Sequence, residues 1–337
     1  MKKIRIAIVG LGHPHSMDTA EALLRLSDDF EVVGLAEPSP DYCHPEHVSS
    51  PRRPKLQQTL PRYTVDELLA MDDLDAVAIE CEEENGTKYA QMFAEKGIHI
   101  HFDKPGTHGV AAFEKLVDTC RESGSILHMA YMYRYNPMVQ RAVDMMKNGE
   151  LGDIYSVEAH MSLLYGPDMA SWIGKHKGGM MYYLGCHDVD LVMQFMGGTP
   201  DEVIPLNAST GQYGLSSENH GFAVLRYPSG ASFVKTTCAE PLGYNRRQLV
   251  INGSKATMEI KPIEMGVPSN GHGVVLKSHA VIQRPGGAET VECEPFERYE
   301  GMLRGFASYV RGDKENPYTY DYELALFKTL MKACGAE

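Results

Sequence analysis

Residues 4–15, IRIAIVGLGHPH, decide how the rest of the chain is read. A run apolar except for Arg5 passes straight into Gly10-Leu11-Gly12, the pattern of a buried strand closed by a tight turn. The basic MKK start resembles a signal peptide, but a glycine turn stands where a small-residue cleavage site would be. The motif is GxGxx followed by His15, where the dinucleotide fingerprint has its third glycine. The first two glycines allow the turn and let backbone amides approach a pyrophosphate, and the helix that follows favours an anion at its N-terminus. Glu37 closes the next strand, where a carboxylate accepts hydrogen bonds from the adenosine ribose and repels a 2′-phosphate. Gly10, Leu11, Gly12, His13, His15 and Glu37 are therefore candidate cofactor residues, with NAD preferred over NADP.

Around this turn the chain alternates β-rich and helical segments. Strands are expected at 4–9, 31–36, 75–80, 97–102 and 126–132, with helices such as 17–27 and 88–95 between them, the signature of βαβ units and a parallel sheet. The proline-rich, charged stretch 38–61 reads as a long surface loop. Beyond about residue 150, strands at 154–161, 221–227, 231–237, 248–252 and 256–260 follow one another across turn signals such as YPSG and NGS, which indicates an antiparallel sheet. Helices return at 299–310 and 322–333.

The fold class is thus α/β: a doubly wound parallel Rossmann sheet, then an α+β domain with a large, mostly antiparallel open sheet. The expected domains are 1–127 for the cofactor and 128–337 for substrate and oligomerisation.

Composition excludes several classes. With 32 basic against 45 acidic residues the net charge is −13, which opposes binding to a phosphate backbone. No segment approaches the ~20 apolar residues of a membrane span. Seven scattered cysteines without a CxxC pair suit reduced thiols in a cytoplasm. His13 and His15 are metal-ligand types, yet the turn shows no third ligand, and Cys43-His44-Pro45-Glu46-His47 lacks two paired ligand sets, so a solvated loop and no metal are expected.

Further motifs carry a resemblance. KGIHIHFDKP (96–105), MYRYNP (132–137), NGELGDI (148–154) and GGMMYYLGCHDVD (178–190), in this order behind a GxG turn, resemble the Gfo/Idh/MocA oxidoreductases over nearly the whole chain. The resemblance implies a Rossmann domain, a C-terminal α/β domain whose open sheet often forms a homodimer or homotetramer, and hydride transfer between a nicotinamide cofactor and a sugar, cyclitol or related polyol. It implies that Lys104 of the Lys104-Pro105 pair lies beside nicotinamide and substrate, with Asp103 replacing the family's glutamate. Glu82 and Pro105 join the cofactor set. His187 falls on the family's histidine, and Tyr183 stands where the family has an aspartate.

The chemistry suits these types. Oxidising a secondary alcohol needs a base, for which His187 is the candidate, and a cation beside the developing alkoxide, for which Lys104 is. Tyr183, four residues before His187, shares its face if the segment is one helix, and is expected to face the same cleft as Lys104 and to take over the aspartate's hydrogen bonding. Asp190 is placed to orient the imidazole or bind a hydroxyl, Arg134 to touch cofactor or substrate or tie the domains, and Asp188 to be solvated. Two other functions fit the same residues: glycoside cleavage through transient oxidation by a retained NAD, and a non-catalytic dinucleotide sensor.

Overall fold

In β1 (Ile4–Val9) every residue except Arg5 is buried, as befits a strand between two parallel neighbours. The computed structural model describes residues 2–42, 44–48, 50–107, 109–267 and 275–336. After β1 come α1 (Ser16–Arg25), β2 (Phe30–Ala36), α2 (Arg52–Thr59), β3 (Arg62–Tyr63), α3 (Val65–Leu69), β4 (Ala76–Ile79), α4 (Glu83–Ala94), β5 (His99–Phe102), α5 (Val110–Ser123) and β6 (Leu127–Met129). The six strands are parallel in the order β3-β2-β1-β4-β5-β6. This is the doubly wound order, with its switch point between β1 and β4.

Two sequence expectations need correction here. The stretch read as a loop contains α2, held by polar contacts: Arg52 pairs with Asp18 and Glu21 of α1 and Arg53 with Glu37. The run read as a strand to Met132 stops at Met129, and Met132–Tyr135 is a 3-10 turn. That turn leads into α6 (Pro137–Lys147), whose N-terminus is capped by the Asn136 side chain with Pro137 in first position.

The large sheet follows. β7 (Ile154–Ser162), α7 (Pro167–Ile173), α8 (Met180–Tyr183), α9 (Gly185–Met196), β8 (Glu202–Pro205), β9 (His220–Tyr227), β10 (Gly230–Thr237), β11 (Gln248–Gly253), β12 (Thr257–Ile260), β13 (Met265–Gly266), β14 (Val275–Lys277), β15 (His279–Arg284), β16 (Gly287–Glu292) and β17 (Phe296–Glu297) run in chain order. Eight strands form one sheet, β16-β15-β12-β11-β7-β10-β9-β8, antiparallel except where β10 pairs with β7. β13, β14 and β17 form a small sheet of their own. Residues of β9 to β12 alternate between buried and half-buried, the period-2 pattern of a sheet covered on one face. The cover is α9 on β7 and β10, with α8 on β9 and β10. On the other face Phe222 and Phe233 stack at 5.7 Å between ring centres.

The chain ends with α10 (Glu300–Val310) and α11 (Tyr320–Ala333). Two units result, Met1–Tyr131 with Tyr299–Leu324, and Met132–Arg298 with Ala325–Glu337, rather than a single division at 127/128. Residues 299–324 return to the first unit because Phe306 stacks on His128 at 5.2 Å, Arg311 pairs with Asp29 at 3.0 Å and the Tyr320 hydroxyl donates to Ser125 O at 2.6 Å. Among the described residues no helix is long and apolar enough to cross a membrane.

Candidate active site

In the first unit the strand ends at the switch point bring together Gly10–His15 after β1, Glu80–Glu83 after β4 and Asp103–Pro105 after β5. Gly10 has φ +91°, and a Cβ there would meet Cys81 at 2.8–2.9 Å, so only glycine fits. At Gly12 a Cβ would meet Tyr42 at 3.0 Å and Glu82 at 3.1–3.2 Å. The Glu82 carboxylate beside it accepts from Ser39 Oγ and Asn85 Nδ2, both at 2.5 Å. Several turn amides have internal acceptors: Gly10 N donates to Ala36 O, Gly12 N and His13 N to Glu80 O, and His15 N to His13 Nδ1. The glycine cradle is built as the fingerprint requires, but those four donors face inward.

Asp103 is the hub of the turn. Its Oδ1 accepts from the Lys104 amide at 2.7 Å and pairs with His15 Nδ1 at 3.2 Å, while Oδ2 pairs with His13 Nδ1. The sequence reading finds no third metal-ligand type near His13 and His15; the fold supplies one from 88 residues away. Ligand atoms of His13, His15 and Asp103 all lie within 4.8 Å of one another. Burial would raise Asp103, but the charges and hydrogen bonds of the two histidines outweigh it and hold its carboxyl well below the ordinary range. Burial and then the Asp103 charge push the neighbouring Glu80 well above that range. Glu83 also rises through burial, against the opposing charge of His13 at 3.7 Å. Lys104 is 1% exposed, a buried cation at the carboxyl end of β5.

Glu37 closes β2 as expected, but it is already engaged. Arg53 reaches it at 2.9 Å, Arg62 at 3.2 Å and Gln57 at 2.6 Å. A cavity of about 470 Å³ opens here, lined by Glu37, Arg62, Tyr63, Lys88 and Tyr89 among others. Its residue types suit an adenosine and its ribose hydroxyls. The adenosine end of the site therefore fits a dinucleotide more plainly than the inward-facing turn amides do.

In the second unit GGMMYYLGCHDVD does not form one helix. It breaks at Leu184, so Tyr183 ends α8 and His187 lies in the first turn of α9, and the four-residue spacing no longer puts them on one face. The Tyr183 hydroxyl lies 3.4 Å from that of Tyr165, with its ring edge-on to Trp172 at 5.5 Å. The His187 ring meets Tyr133 edge-on at 4.9 Å. Asp190 holds Arg134 through Nε and Nη2 at 2.9 and 2.8 Å, with both side chains buried, so its carboxylate is engaged by the guanidinium. Asp188, expected in solvent, is wholly buried because α9 is enclosed along this turn. Burial pushes its carboxyl well up, with Arg247 and the Met161 backbone opposing.

One cluster escapes sequence reasoning. Glu264 Oε1 accepts from Tyr133, Tyr244 and Arg298 at 2.8 Å each and from Arg247 at 3.2 Å. Arg298 Nε adds a bond to Oε2 at 3.0 Å. Burial alone would raise Glu264, but the two arginines hold it below its ordinary value. Tyr133 belongs to the quoted MYRYNP motif, whereas nothing in KPIEMG singles out Glu264.

A Rossmann unit with a lysine-bearing switch point, followed by a one-sided mixed sheet, defines a dinucleotide-dependent oxidoreductase class. Comparison with known proteins agrees. Residues 4–131 match the oxidoreductase family with an NAD-binding Rossmann fold, and residues 139–259 match the GFO/IDH/MocA C-terminal domain. The chain belongs to the Gfo/Idh/MocA family of NAD(P)-dependent oxidoreductases. It is 32% identical over 174 residues to D-xylose 1-dehydrogenase (NADP(+)) 2 of Haloferax volcanii, a match covering 49% of this chain and 50% of that enzyme. It is 24% identical over 247 residues to D-glucoside 3-dehydrogenase of Escherichia coli, covering 67% of this chain and 66% of that one. The fold is shared with aldose-aldose oxidoreductase of Caulobacter crescentus, at TM-score 0.79, 18% identity and 99% and 97% coverage of the two chains. A 3-ketoreductase of Actinomadura kijaniata, solved with NADP, gives 0.75, 17%, 98% and 96%.

Proposed function

We propose that this chain transfers a hydride between NAD(P) and a secondary hydroxyl of a sugar, cyclitol or related polyol. The observation that supports this most is the burial of Lys104 at the carboxyl end of β5, in a chain whose relatives include sugar dehydrogenases. The dinucleotide supplies the hydride acceptor or donor when bound. Lys104 stabilises negative charge on the substrate oxygen, and His187 takes or returns the hydroxyl proton. Tyr183 serves as a hydrogen-bond donor in place of the family's aspartate. Tyr133, anchored by Glu264 and Arg247, sets the imidazole plane of His187 through its edge contact. Arg134 and Asp190 position the 3-10 turn against α9. Dehydrogenase relatives favour this reading over glycoside cleavage or a silent sensor.

At the adenosine end Glu37 opposes a 2′-phosphate, while Arg53 and Arg62 offset its charge. NAD is therefore the preferred cofactor by a margin of about tenfold or less, equivalent to about 1.4 kcal/mol. Arg62→Ala widens that margin and Glu37→Ser reverses it, as read by titration of cofactor fluorescence. A homo-oligomer forms through the half-buried sheet face that carries Phe222 and Phe233, and light scattering after gel filtration tests it.

The deciding experiment follows NAD(P)H absorbance with a panel of aldoses, glycosides and cyclitols, and with their keto forms. Turnover of at least one member is expected. Cofactor binding without turnover of any member in either direction would overturn the proposal.

A further inference from the structure

The two positions where the chain departs from its family's cofactor motifs touch each other. His15 stands in place of the fingerprint's third glycine and Asp103 in place of the glutamate before Lys-Pro, and they meet at 3.2 Å. His13 completes the group on the other Asp103 oxygen. Two imidazoles and a carboxylate are the donor set that divalent transition metals take, and their ligand atoms, all within 4.8 Å, are near enough for one ion to gather with modest side-chain adjustment. His13 is 2% exposed, and its Nε2 makes no hydrogen bond. His15 is the one member with solvent access, its side chain 20% exposed, and it provides the entry side.

We propose that His13, His15 and Asp103 bind one divalent transition-metal ion of the zinc or cobalt type beside the glycine turn. All three ligands lie in the first unit, so the site does not depend on the second. The ion brings positive charge to a turn where the amides of Gly10, Gly12 and His13 face inward and where the carboxylates of Glu82 and Glu83 gather. Each imidazole binds through a lone-pair nitrogen: a proton on that nitrogen moves to the other ring nitrogen, or leaves to solvent where both nitrogens carry one. Direct binding tests this independently of any hydride transfer, so failure here leaves the dehydrogenase proposal standing, and the converse holds.

The full chain, stripped with a chelator, is dialysed against zinc chloride or cobalt chloride and its metal content measured by mass spectrometry. One equivalent per chain is expected, with a visible absorption band for the cobalt form. His15→Ala removes a partly exposed side chain and should leave the far-ultraviolet circular dichroism unchanged while weakening binding about 10- to 100-fold or more, because loss of even an outer-shell partner costs that much. Asp103→Asn should act alike, and His15→Gln decides the matter should that variant fail to fold. No uptake by the wild type overturns the site. So does unchanged affinity in both His15 variants, or binding that is lost with His44→Gln and not with His15→Ala.

Discussion

Asp103 and Glu264 are both buried carboxylates, yet the side chains around them differ in kind. Asp103 faces two imidazoles and has Glu80 and Glu83 as acidic neighbours. Glu264 faces two guanidinium groups that keep their charge and two phenols that donate to it while accepting from those same arginines. The first arrangement offers metal-ligand types and lies next to Lys104, the lysine of the proposed reaction. The second is built of arginines and phenols, and it holds Tyr133, whose ring meets that of His187. The proposed roles differ accordingly, chemistry in one unit and rigidity in the other.

Substitution at each cluster separates these roles. Lys104→Ala, next to Asp103, is expected to lower hydride transfer by about 10² to 10⁴ with little change in dinucleotide affinity, measured as kcat and cofactor Kd. Near wild-type turnover would remove the first cluster from the chemistry. Glu264→Ala removes the carboxylate from the buried Arg247 and the half-buried Arg298 and should cost about 3–5 kcal/mol in urea unfolding followed by fluorescence of Trp172, a residue of the second unit. A loss below 1 kcal/mol would mean that the cluster is not a brace.

Asp188 sharpens the contrast, being a buried acid without a full cation shell. Its folded-state pKa lies above the unfolded value, so its stability contribution is complete below the ordinary carboxylate range and is lost as the pH rises toward the folded pKa. Asp188→Asn should match the wild type near pH 4 and become the more stable protein above it, by up to about 1.4 kcal/mol per pH unit until the buried carboxyl ionises. A pH-independent difference in thermal midpoint would show that the acid is paired. The smallest effect is expected at Tyr183→Phe, where one hydrogen bond of about 0.5–1.5 kcal/mol corresponds to a two- to tenfold fall in kcat. Full activity would make Tyr183 a packing residue against Trp172.

Periodicity made most of this architecture legible. The five expected strands of the first unit lie within three residues of their expected ends because apolar runs buried on both faces leave little choice of register, whereas the two-residue β3 was not foreseen. α2 escaped because RRPKLQQT has no apolar stripe; apart from Leu56 its inward side is held by ion pairs, invisible to a hydrophobic pattern. The break at Leu184 escaped because GGMMYYLGCHDVD is uniformly buried and helix-compatible, so no polar face marks where one helix stops. Lys104 and His187 were reachable through their motifs. The contact of His15 with Asp103 was not, because it joins two strand ends distant in sequence, and Glu264 gathers four partners from three separate segments around an unremarkable KPIEMG.

The return of residues 299–324 to the first unit has a consequence for how the chain is made. A ribosome releases all six strands of the parallel sheet, and then almost the whole second unit, before Phe306 leaves the tunnel to stack on His128. Until then the His101–His128 pair, joined at 2.8 Å, lacks that aromatic cover, and Asp29 waits for Arg311. Domains generally fold in the order of their synthesis. Here the unit begun first is completed after nearly all of the second has been made, and a nascent chain stalled anywhere before residue 306 carries an unfinished Rossmann core.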